Sequence, residues 1–285
     1  EYVLMLLELA IGDAYGAGFE YAREMIAKHN TLSRYIQHPR HRKIRPGMYT
    51  DVTQMTIAVS ELIMSNSAWN SKSIADKFVE CFKRDERTGY AGRFYDFLKS
   101  IADGDEFLAR IKPHSDKSGA AMRAMPIGIF SDVDEVLEKT EIQAKVTHDT
   151  VDGILAAQAS ALLSHYFIYD VDSKENAGLW LEKQLPAHHQ WNEDYAGKVK
   201  AQGWMSVRAA ITAVKRNDKL SGLLIDCINF TGDVDTVATI ALAAASNSTE
   251  YQQDLPQHLI DTLENGTYGR DYLIELDKQL MAMVK

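Results

Sequence analysis

Apolar residues recur at helical spacing along most of this chain, and this pattern limits the fold more than any other feature. One segment places them at i, i+3, i+4, i+7 and i+8, as a helix with one buried face requires: Met55, Ala58, Val59, Leu62 and Ile63. Similar apolar patterns predict further helices over Val151–Phe167, Met205–Val214, Leu220–Phe230, Val237–Ala245 and from Leu273 to Met283. The sequence contains no sustained two-residue alternation of the kind that strands need. We therefore predict an all-α fold in which Val237–Ala245, apolar nearly all round, is a central buried helix.

The length and the loops favour one domain over residues 1–285. Apolar residues make up 46% of the 285 residues, enough for a substantial core. The clearest loops, Pro39–Met48 and Lys112–Gly119, are too short and too mixed in composition to be domain linkers. Gln184–Gly197 is polar and aromatic, which predicts a surface loop. Ser73 is a candidate N-cap for the helix that carries Ile74 and Phe78.

The net charge and the cysteine content limit the classes of partner and the compartment that the chain is expected to have. A net charge of −9 argues against a general surface for nucleic acid or anionic membrane, so an anionic ligand would need a local pocket. The apolar stretch Leu4–Ala10 is too short to cross a bilayer, and we expect no membrane partner. Cys81 and Cys227 stand alone in apolar helical patterns, which predicts buried free thiols and fits a reducing cytoplasm.

Two short stretches gather acidic and hydroxyl side chains just before apolar helices. Tyr49–Gln54 contains Thr50 and Asp51, and Thr231–Thr236 contains Asp233 and Asp235. Thr or Asp before a helix is ordinarily an N-cap, and each stretch alone is explained in that way. Two carboxylates two residues apart repel each other, however, unless a cation or hydrogen-bond donors lie between them. Hard oxygen ligands of this kind suit Mg²⁺, Mn²⁺ or Ca²⁺ better than zinc.

Taken with three further segments, these stretches resemble the ADP-ribosylglycohydrolase family. The matching segments are Ile11–Glu20, Tyr49–Met55, Ser118–Arg123, Thr147-His148 and Gly232–Thr236. They resemble, in order, the family's Gly-Asp…Gly…Glu signature, Thr-Asp-Asp-Thr-Gln-Met, Gly-Asn-Gly-Ala-Ala-Met-Arg, the Thr-His before a long helix, and Gly-Asp-x-Asp-Ser/Thr. Together the five segments extend over nearly the whole chain.

The resemblance implies a compact orthogonal multi-helix bundle with a binuclear Mg²⁺ or Mn²⁺ centre in a cleft. It implies hydrolysis at the anomeric carbon of the distal ribose of ADP-ribose, attached to a modified side chain or small conjugate. The implied metal ligands are Thr50, Asp51, Asp233, Asp235 and Thr236. The implied catalytic residues are Glu20, on a mobile loop near the ribose, together with Asp51 and Asp233. Positions that line the ADP-ribose cleft correspond to Ser118, Gly119, Ala120 and His148.

These residue types suit that reaction. Breaking a ribosyl bond develops oxocarbenium character, a divalent ion can orient a water and lower its pKa, and a carboxylate can take the water's proton. Small residues at Gly119–Ala121 let backbone N–H groups approach a diphosphate. Without the resemblance, Gly119–Ala121 is better explained by close helix packing, His148 equally well by a helix-terminal polar residue, and Glu20 by a solvated charge.

Val52 is the main departure from the family pattern. The family has a second Asp there, which contributes to the metal centre, whereas valine has no donor oxygen. We expect at least one metal to bind more weakly or to have its ligand shell filled by water. The enzyme would then use one tight metal, recruit another acidic side chain, or be impaired. Thr231 in place of Gly and Ser118 in place of Asn are smaller departures. Two hypotheses follow: a metal-dependent ADP-ribosyl hydrolase, or a catalytically weakened homologue that binds ADP-ribose or a protein partner. A purely structural role ranks third, because it leaves the two polar stretches without a purpose.

Overall fold

Helices account for the regular secondary structure throughout the residues that the computed structural model describes, 5–186 and 188–284. The helices are α1 Met5–Gly16, α2 Ile26–His29, α3 Asp51–Met64, α4 Ser71–Arg84, α5 Gly92–Ser100, α6 Gly104–Arg110, α7 Val133–Lys145, α8 Val151–Ile168, α9 Ala177–Gln184, α10 Gly203–Arg216, α11 Leu220–Asn229, α12 Val234–Ala245, α13 Gln257–Thr262 and α14 Arg270–Met281. Three short 3₁₀ turns lie at Arg23–Met25, Met125–Ile129 and Lys174–Asn176. The described residues form isolated β-bridges but no strand. The predicted all-α fold is confirmed.

The α12 helix lies at the centre of the molecule. Every residue of Val234–Ala245 is buried, and the helix packs against α1, α8, α10 and α11. An apolar surface on all sides leaves a helix no face to turn to water, so the sequence itself dictates this central position. One hydrophobic core contains side chains from Met5 in α1 to Leu280 in α14.

Two glycines let α1 approach α12 backbone to backbone. A Cβ at Gly12 would lie 2.9 Å from the Ala238 carbonyl oxygen, and one at Gly16 would lie 2.5 Å from the Asp235 Cα. Any larger residue at Gly16 would push α1 away from the first turn of α12. This contact carries the chain that follows α1, including Glu20, to the start of α12.

Some local predictions need correction. The α4 helix begins at Ser71, and its N-cap is Asn70, whose side chain accepts from the Ser73 N–H at 3.0 Å; Ser73 is therefore not the cap. Trp191, in the segment predicted to be a surface loop, is only 1% exposed. The polar composition of that segment gave no indication that its tryptophan is buried. Cys81 and Cys227 are buried free thiols, as predicted. No helix in the described part of the chain combines the length and the apolar character needed to cross a membrane.

Candidate active site

The two acidic stretches, about 180 residues apart in sequence, meet at one cleft with a cavity volume of about 390 Å³. This volume is typical of small-molecule sites. Eight of the residues that the sequence singled out line it: Glu20, Asp51, Ser118, Gly119, His148, Asp233, Asp235 and Thr236. The turn before α12, the start of α3, the segment that follows α1, and the loops around 112–123 and 147–148 supply its walls.

The start of α12 presents its carboxylates to the cleft. Gly232 has a φ of +91°, and a Cβ there would lie 1.8 Å from the Val199 carbonyl oxygen, so the turn requires glycine. Asp233 is the N-cap residue of α12, yet its side chain makes no capping hydrogen bond. It accepts instead from the Ser118 hydroxyl at 2.8 Å and the Thr236 hydroxyl at 2.9 Å. Simple capping therefore does not explain Asp233.

Glu20 joins this end of α12 through the backbone of its neighbour. The Tyr21 N–H donates to the Gly232 carbonyl at 2.9 Å, and a ring nitrogen of His38 lies 2.8 Å from the Glu20 carbonyl oxygen. These contacts bring one carboxylate oxygen each of Glu20, Asp233 and Asp235 within 4.8 Å of one another. The cluster is the densest group of acidic ligands in the cleft.

Burial and mutual repulsion disfavour the charged forms of this cluster. Burial, followed by the charges of Asp233 and Asp51, raises the pKa of Glu20 to about 8. The pKa of Asp235 is raised well above its ordinary value by burial and then by Glu20 and Asp233. One oxygen of Asp235, Oδ1, is buried without a hydrogen-bond partner. A hard divalent cation would satisfy that oxygen and remove the repulsion, so these residues fit Mg²⁺ or Mn²⁺.

Asp51 also lines the cleft, at the first position of α3. Its carboxylate packs against Gly89, where the φ is +115° and a Cβ would lie 2.6 Å from Asp51 Oδ1. Burial raises the pKa of Asp51 to about 7, with a further contribution from the charge of Asp13. Asp51 therefore adds a fourth acidic group to the cleft, and Gly89 makes room for it.

Asp13 is a site residue whose role the sequence did not indicate, although it lies in the quoted Ile11–Glu20 segment. Its carboxylate accepts hydrogen bonds from the backbone and hydroxyl of Thr50, at 2.8 and 2.7 Å, and from those of Thr53, at 3.1 and 2.6 Å. It thus satisfies the first turn of α3 from another helix. The Thr50 hydroxyl, a predicted metal ligand, donates to Asp13 and accepts from the Val52 N–H at 3.3 Å.

Ala120, predicted to line the ADP-ribose cleft, is fully buried and is not among its lining residues. Its carbonyl accepts from the Gln143 side chain at 3.3 Å, which anchors the loop behind Gly119. Thr50 is likewise absent from the lining. The structure therefore gives both residues positions behind the wall of the cleft.

A buried polar chain orients His148. Arg123 Nη2 donates to the Thr147 hydroxyl oxygen at 2.7 Å, and that oxygen lies 2.6 Å from His148 Nδ1. Arg123 can only donate, so the Thr147 hydroxyl hydrogen is free to bond to Nδ1; in the tautomer that accepts it, the neutral ring carries its proton on Nε2. Burial, followed by the charge of Arg123, lowers the pKa of His148 to about 3. The neutral ring offers an N–H donor beside Gly119, whose Cβ would lie 3.1 Å from Nε2.

The cleft also contains basic groups despite the net negative charge of the chain. Three side chains whose charge is opposite to that of the acidic cluster line it: Lys112, Lys117 and Arg123. Lys112 and Lys117 belong to the loop predicted at Lys112–Gly119, but composition alone did not identify them as part of the site. This is the local basic pocket that an anionic ligand requires in a chain of net charge −9.

Val52 lies at the edge of the cleft and in the core at once. Its side chain lines the cavity beside Met55, yet the residue is only 2% exposed. The Val52 side chain therefore borders the cleft and belongs to the apolar face of α3 at the same time. A carboxylate in place of Val52 would face the cavity, but the position is almost completely shielded from water.

Comparison with known proteins agrees with this geometry. Residues 2–285 match the family described as ADP-ribosylglycohydrolase. The chain is 21% identical to the ADP-ribosylarginine hydrolase Tri1 of Serratia proteamaculans (strain 568), over 90% of this chain and 74% of that protein. It is 24% identical to the ADP-ribosyl-[dinitrogen reductase] glycohydrolase of Rhodospirillum rubrum, over 90% and 88%.

A shorter match covers 58% of this chain and 48% of the ADP-ribosylhydrolase ARH3 of Mus musculus, at 25% identity. Among solved structures, the chain is similar to an ADP-ribosylglycohydrolase-related protein complex, with a TM-score of 0.77, 20% identity and coverage of 99% of this chain and 97% of the other. That similarity supports the all-α fold.

Proposed function

Because the chain belongs to the ADP-ribosylglycohydrolase family, we propose that it is a divalent-metal-dependent hydrolase of ADP-ribose conjugates. The bond cleaved would join ADP-ribose to a modified side chain or to a small conjugate. The observation that carries this proposal is the cluster of Glu20, Asp233 and Asp235 at one wall of a cleft, which has no cationic hydrogen-bond partner among the residues that the structure describes.

Asp51, Asp233 and Asp235 would hold Mg²⁺ or Mn²⁺, with the Thr236 hydroxyl beside them and the Glu20 carboxylate next to the ion. Thr50 would contribute only by sharing the hydroxyl that it now donates to Asp13. Once bound, the ion would supply a Lewis acid that lowers the pKa of a water. We propose two metal positions as in the family, one of them weakened.

The chain's own residues have separable roles in this proposal. The Glu20 carboxylate, once deprotonated, would accept the proton of the attacking water at the anomeric carbon. In the tautomer that accepts from Thr147 at Nδ1, His148 would donate its Nε2 proton to a ligand oxygen. Lys112, Lys117 and the backbone at Gly119 would hold the diphosphate.

The direct test is release of free ADP-ribose from a modified protein, with and without Mg²⁺. We expect release that depends on Mg²⁺ and is lost in Asp235→Asn. Running the assay on arginine-linked, serine-linked and small-molecule conjugates identifies the leaving group. Asp261→Asn is a matched control, because Asp261 is exposed and bonds only with the neighbouring Gln257 side chain and Arg270 on its backbone. No release from any conjugate, with Mg²⁺ present, would contradict hydrolysis.

Val52 favours a second candidate function, that of a weakened homologue that binds ADP-ribose or a protein partner without efficient turnover. Calorimetry separates the two: ADP-ribose binding in the presence of Mg²⁺, without release from any conjugate, would support the binding role. Nucleic acid is not an expected ligand of either candidate, since the net charge of −9 disfavours extended polyanions. A cytoplasmic location remains a prediction from the two free cysteines.

A further inference from the structure

A second group of metal-binding side chains lies outside the cleft. Asp152 is the second residue of α8, and His188 and His189 belong to the segment between α9 and α10. One ligand atom from each lies within 4.8 Å of the others. His188 Nε2 is 3.2 Å and His189 Nε2 is 2.9 Å from the same oxygen, Asp152 Oδ1. None of the three residues lines the candidate active site.

The His189 side chain is built into the structure. It is only 8% exposed, its ring stacks on Trp204 with 12° between the planes, and it meets the edge of Trp191 at 5.3 Å between centroids. Both His189 Nε2 and Asp152 Oδ1 are buried, yet neither makes a hydrogen bond of acceptable geometry. A cation placed beside both atoms, which lie 2.9 Å apart, would satisfy the two of them together.

The distances match the edges of a metal coordination polyhedron. Ligand distances of about 2.0–2.2 Å from zinc place neighbouring donor atoms of a tetrahedral site roughly 3.3 Å apart. The observed separations of 2.9 and 3.2 Å are shorter by a few tenths of an ångström. Two imidazole nitrogens and one carboxylate oxygen suit zinc and similar transition metals, whereas Mg²⁺ prefers oxygen ligands throughout.

We propose that Asp152, His188 and His189 bind one zinc-class divalent cation, separate from the metals of the cleft. The ion ties the segment that precedes α10 to the start of α8. Three protein ligands leave a fourth position open to water or another ligand, and the half-exposed His188 gives access to it. The α8 helix begins three residues after His148, so the ion also braces one wall of the cleft.

The test is zinc titration of the full chain without a histidine tag, in competition with a chromophoric chelator and with Mg²⁺ in saturating excess to occupy the acidic cluster. We expect one zinc per chain. His189→Gln, His188→Gln and Asp152→Asn should each bind it at least about tenfold more weakly. His29→Gln, which removes one histidine elsewhere, should bind as the parent does. Co²⁺ in place of zinc should give visible absorption bands that these three variants lose.

His188 is half-exposed, so His188→Gln tests the ligand without risk to the core, and circular dichroism of each metal-free variant verifies its fold. A parent protein that binds no zinc in excess Mg²⁺ would overturn the proposal. Three folded variants that bind zinc as tightly as the parent would overturn it equally. Neither outcome bears on hydrolysis in the cleft, which is measured with Mg²⁺ alone.

Discussion

The helices α3 and α12 both begin at the cleft, and both begin with carboxylate and hydroxyl groups, but those groups are used differently. At α3, Asp13 accepts four hydrogen bonds from Thr50 and Thr53, so the first turn is satisfied within the protein. At α12, Asp233 makes no capping bond and Asp235 Oδ1 has no partner. The first arrangement is complete without a ligand, whereas the second leaves one buried acceptor, Asp235 Oδ1, without a donor.

The start of α1, like that of α3, is capped by a carboxylate from another helix, although Oδ1 of that carboxylate has no hydrogen-bond partner. Asp277 of α14 accepts from the backbone N–H groups of Leu6 and Leu7, at 2.7 and 3.4 Å. Burial raises the pKa of Asp277 to about 7, which is also the value for Asp51 in the cleft. A raised pKa alone therefore does not identify a functional carboxylate. The useful criterion is whether the acceptor faces a cavity with its hydrogen bonds unmade.

The largest effect is expected at the open helix start. Asp235→Asn removes a buried carboxylate from the cluster and should lower hydrolysis by at least about 100-fold. This loss is larger than that expected for replacing a residue that only hydrogen-bonds to a metal ligand. The increase in Tm on adding Mg²⁺ should also disappear, because an ion raises the stability of the fold only by binding to the folded state. Steady-state kinetics and thermal melting measure the two effects.

Asp261→Asn should leave both measurements unchanged, as Asp261 lies on the surface of α13. If Asp235→Asn kept its Mg²⁺-dependent increase in Tm and its rate, the acceptors at α12 would not be a metal site. The contrast between the two helix starts would then have no functional meaning.

The second prediction concerns the stability of the fold without metal, for which the start of α3 should matter more than the start of α12. Thr50 and Thr53 donate to both carboxylate oxygens of Asp13. Asp13→Asn keeps one of these oxygens and replaces the other with an NH₂ group, which cannot accept a hydrogen bond. It should lower the free energy of unfolding by about 3 kcal/mol. Asp233→Asn should lower it by less than about 1 kcal/mol, because Asp233 caps no backbone group. Urea denaturation in the absence of divalent ions gives both values. Equal losses would show that α12 relies on its carboxylate as much as α3 does.

This asymmetry explains how far the sequence could be interpreted. The helical periodicity of α3 and α12 is local, so the fold class and most helix positions followed directly from it. The fate of each polar group at a helix start is not local. Thr50 is engaged by Asp13, 37 residues earlier, and Asp233 accepts from Ser118, 115 residues earlier. Capping rules consider only the following turn, and for that reason they could not separate the two.

Two further features depended on tertiary packing. Trp191 lies in a segment whose composition predicts a surface loop, but its ring is buried beside His189. Arg123 is in a quoted segment, yet its action on His148 runs through Thr147, 24 residues away. The family resemblance supplied the site residues that line the cleft, and it could not show that Ala120 and Thr50 lie behind its wall.

The third prediction places a carboxylate at the closed helix start. Val52→Asp puts a charge at a position that is 2% exposed but borders the cavity. Without metal, it should lower the free energy of unfolding by about 2 kcal/mol, as an uncompensated buried polar group does. With Mg²⁺, the increase in Tm should exceed that of the parent, and hydrolysis should rise. Tm with and without Mg²⁺ measures both.

Val52→Asn is the matched control, similar in size and without the charge. It should share part of the loss of stability and none of the additional response to Mg²⁺. A Val52→Asp protein that melts lower and gains no more from Mg²⁺ than the parent would mean that residue 52 belongs to the apolar face of α3 alone.

The smallest effect is expected in the core, at the capped start of α1. Burial, followed by the charge of Asp277, raises the pKa of Glu8 from its ordinary value to about 8, and Glu8 Oε2 has no hydrogen-bond partner. The folded state therefore holds a proton that the unfolded state has lost between about pH 5 and 8. Stability falls as the pH rises through this window, by up to about 1.4 kcal/mol per pH unit.

Glu8→Gln removes that dependence. The difference in unfolding free energy between the variant and the parent should grow by about 1 kcal/mol from pH 7 to pH 8, in favour of the variant. Denaturation at both pH values, with Mg²⁺ saturating so that the cleft contributes equally, measures it. Hydrolysis should not change, because Glu8 and Asp277 are packed between α1 and α14, and neither lines the cleft. A change in rate with no change in the pH dependence of stability would join the core carboxylates to the site and remove the distinction between closed and open helix starts.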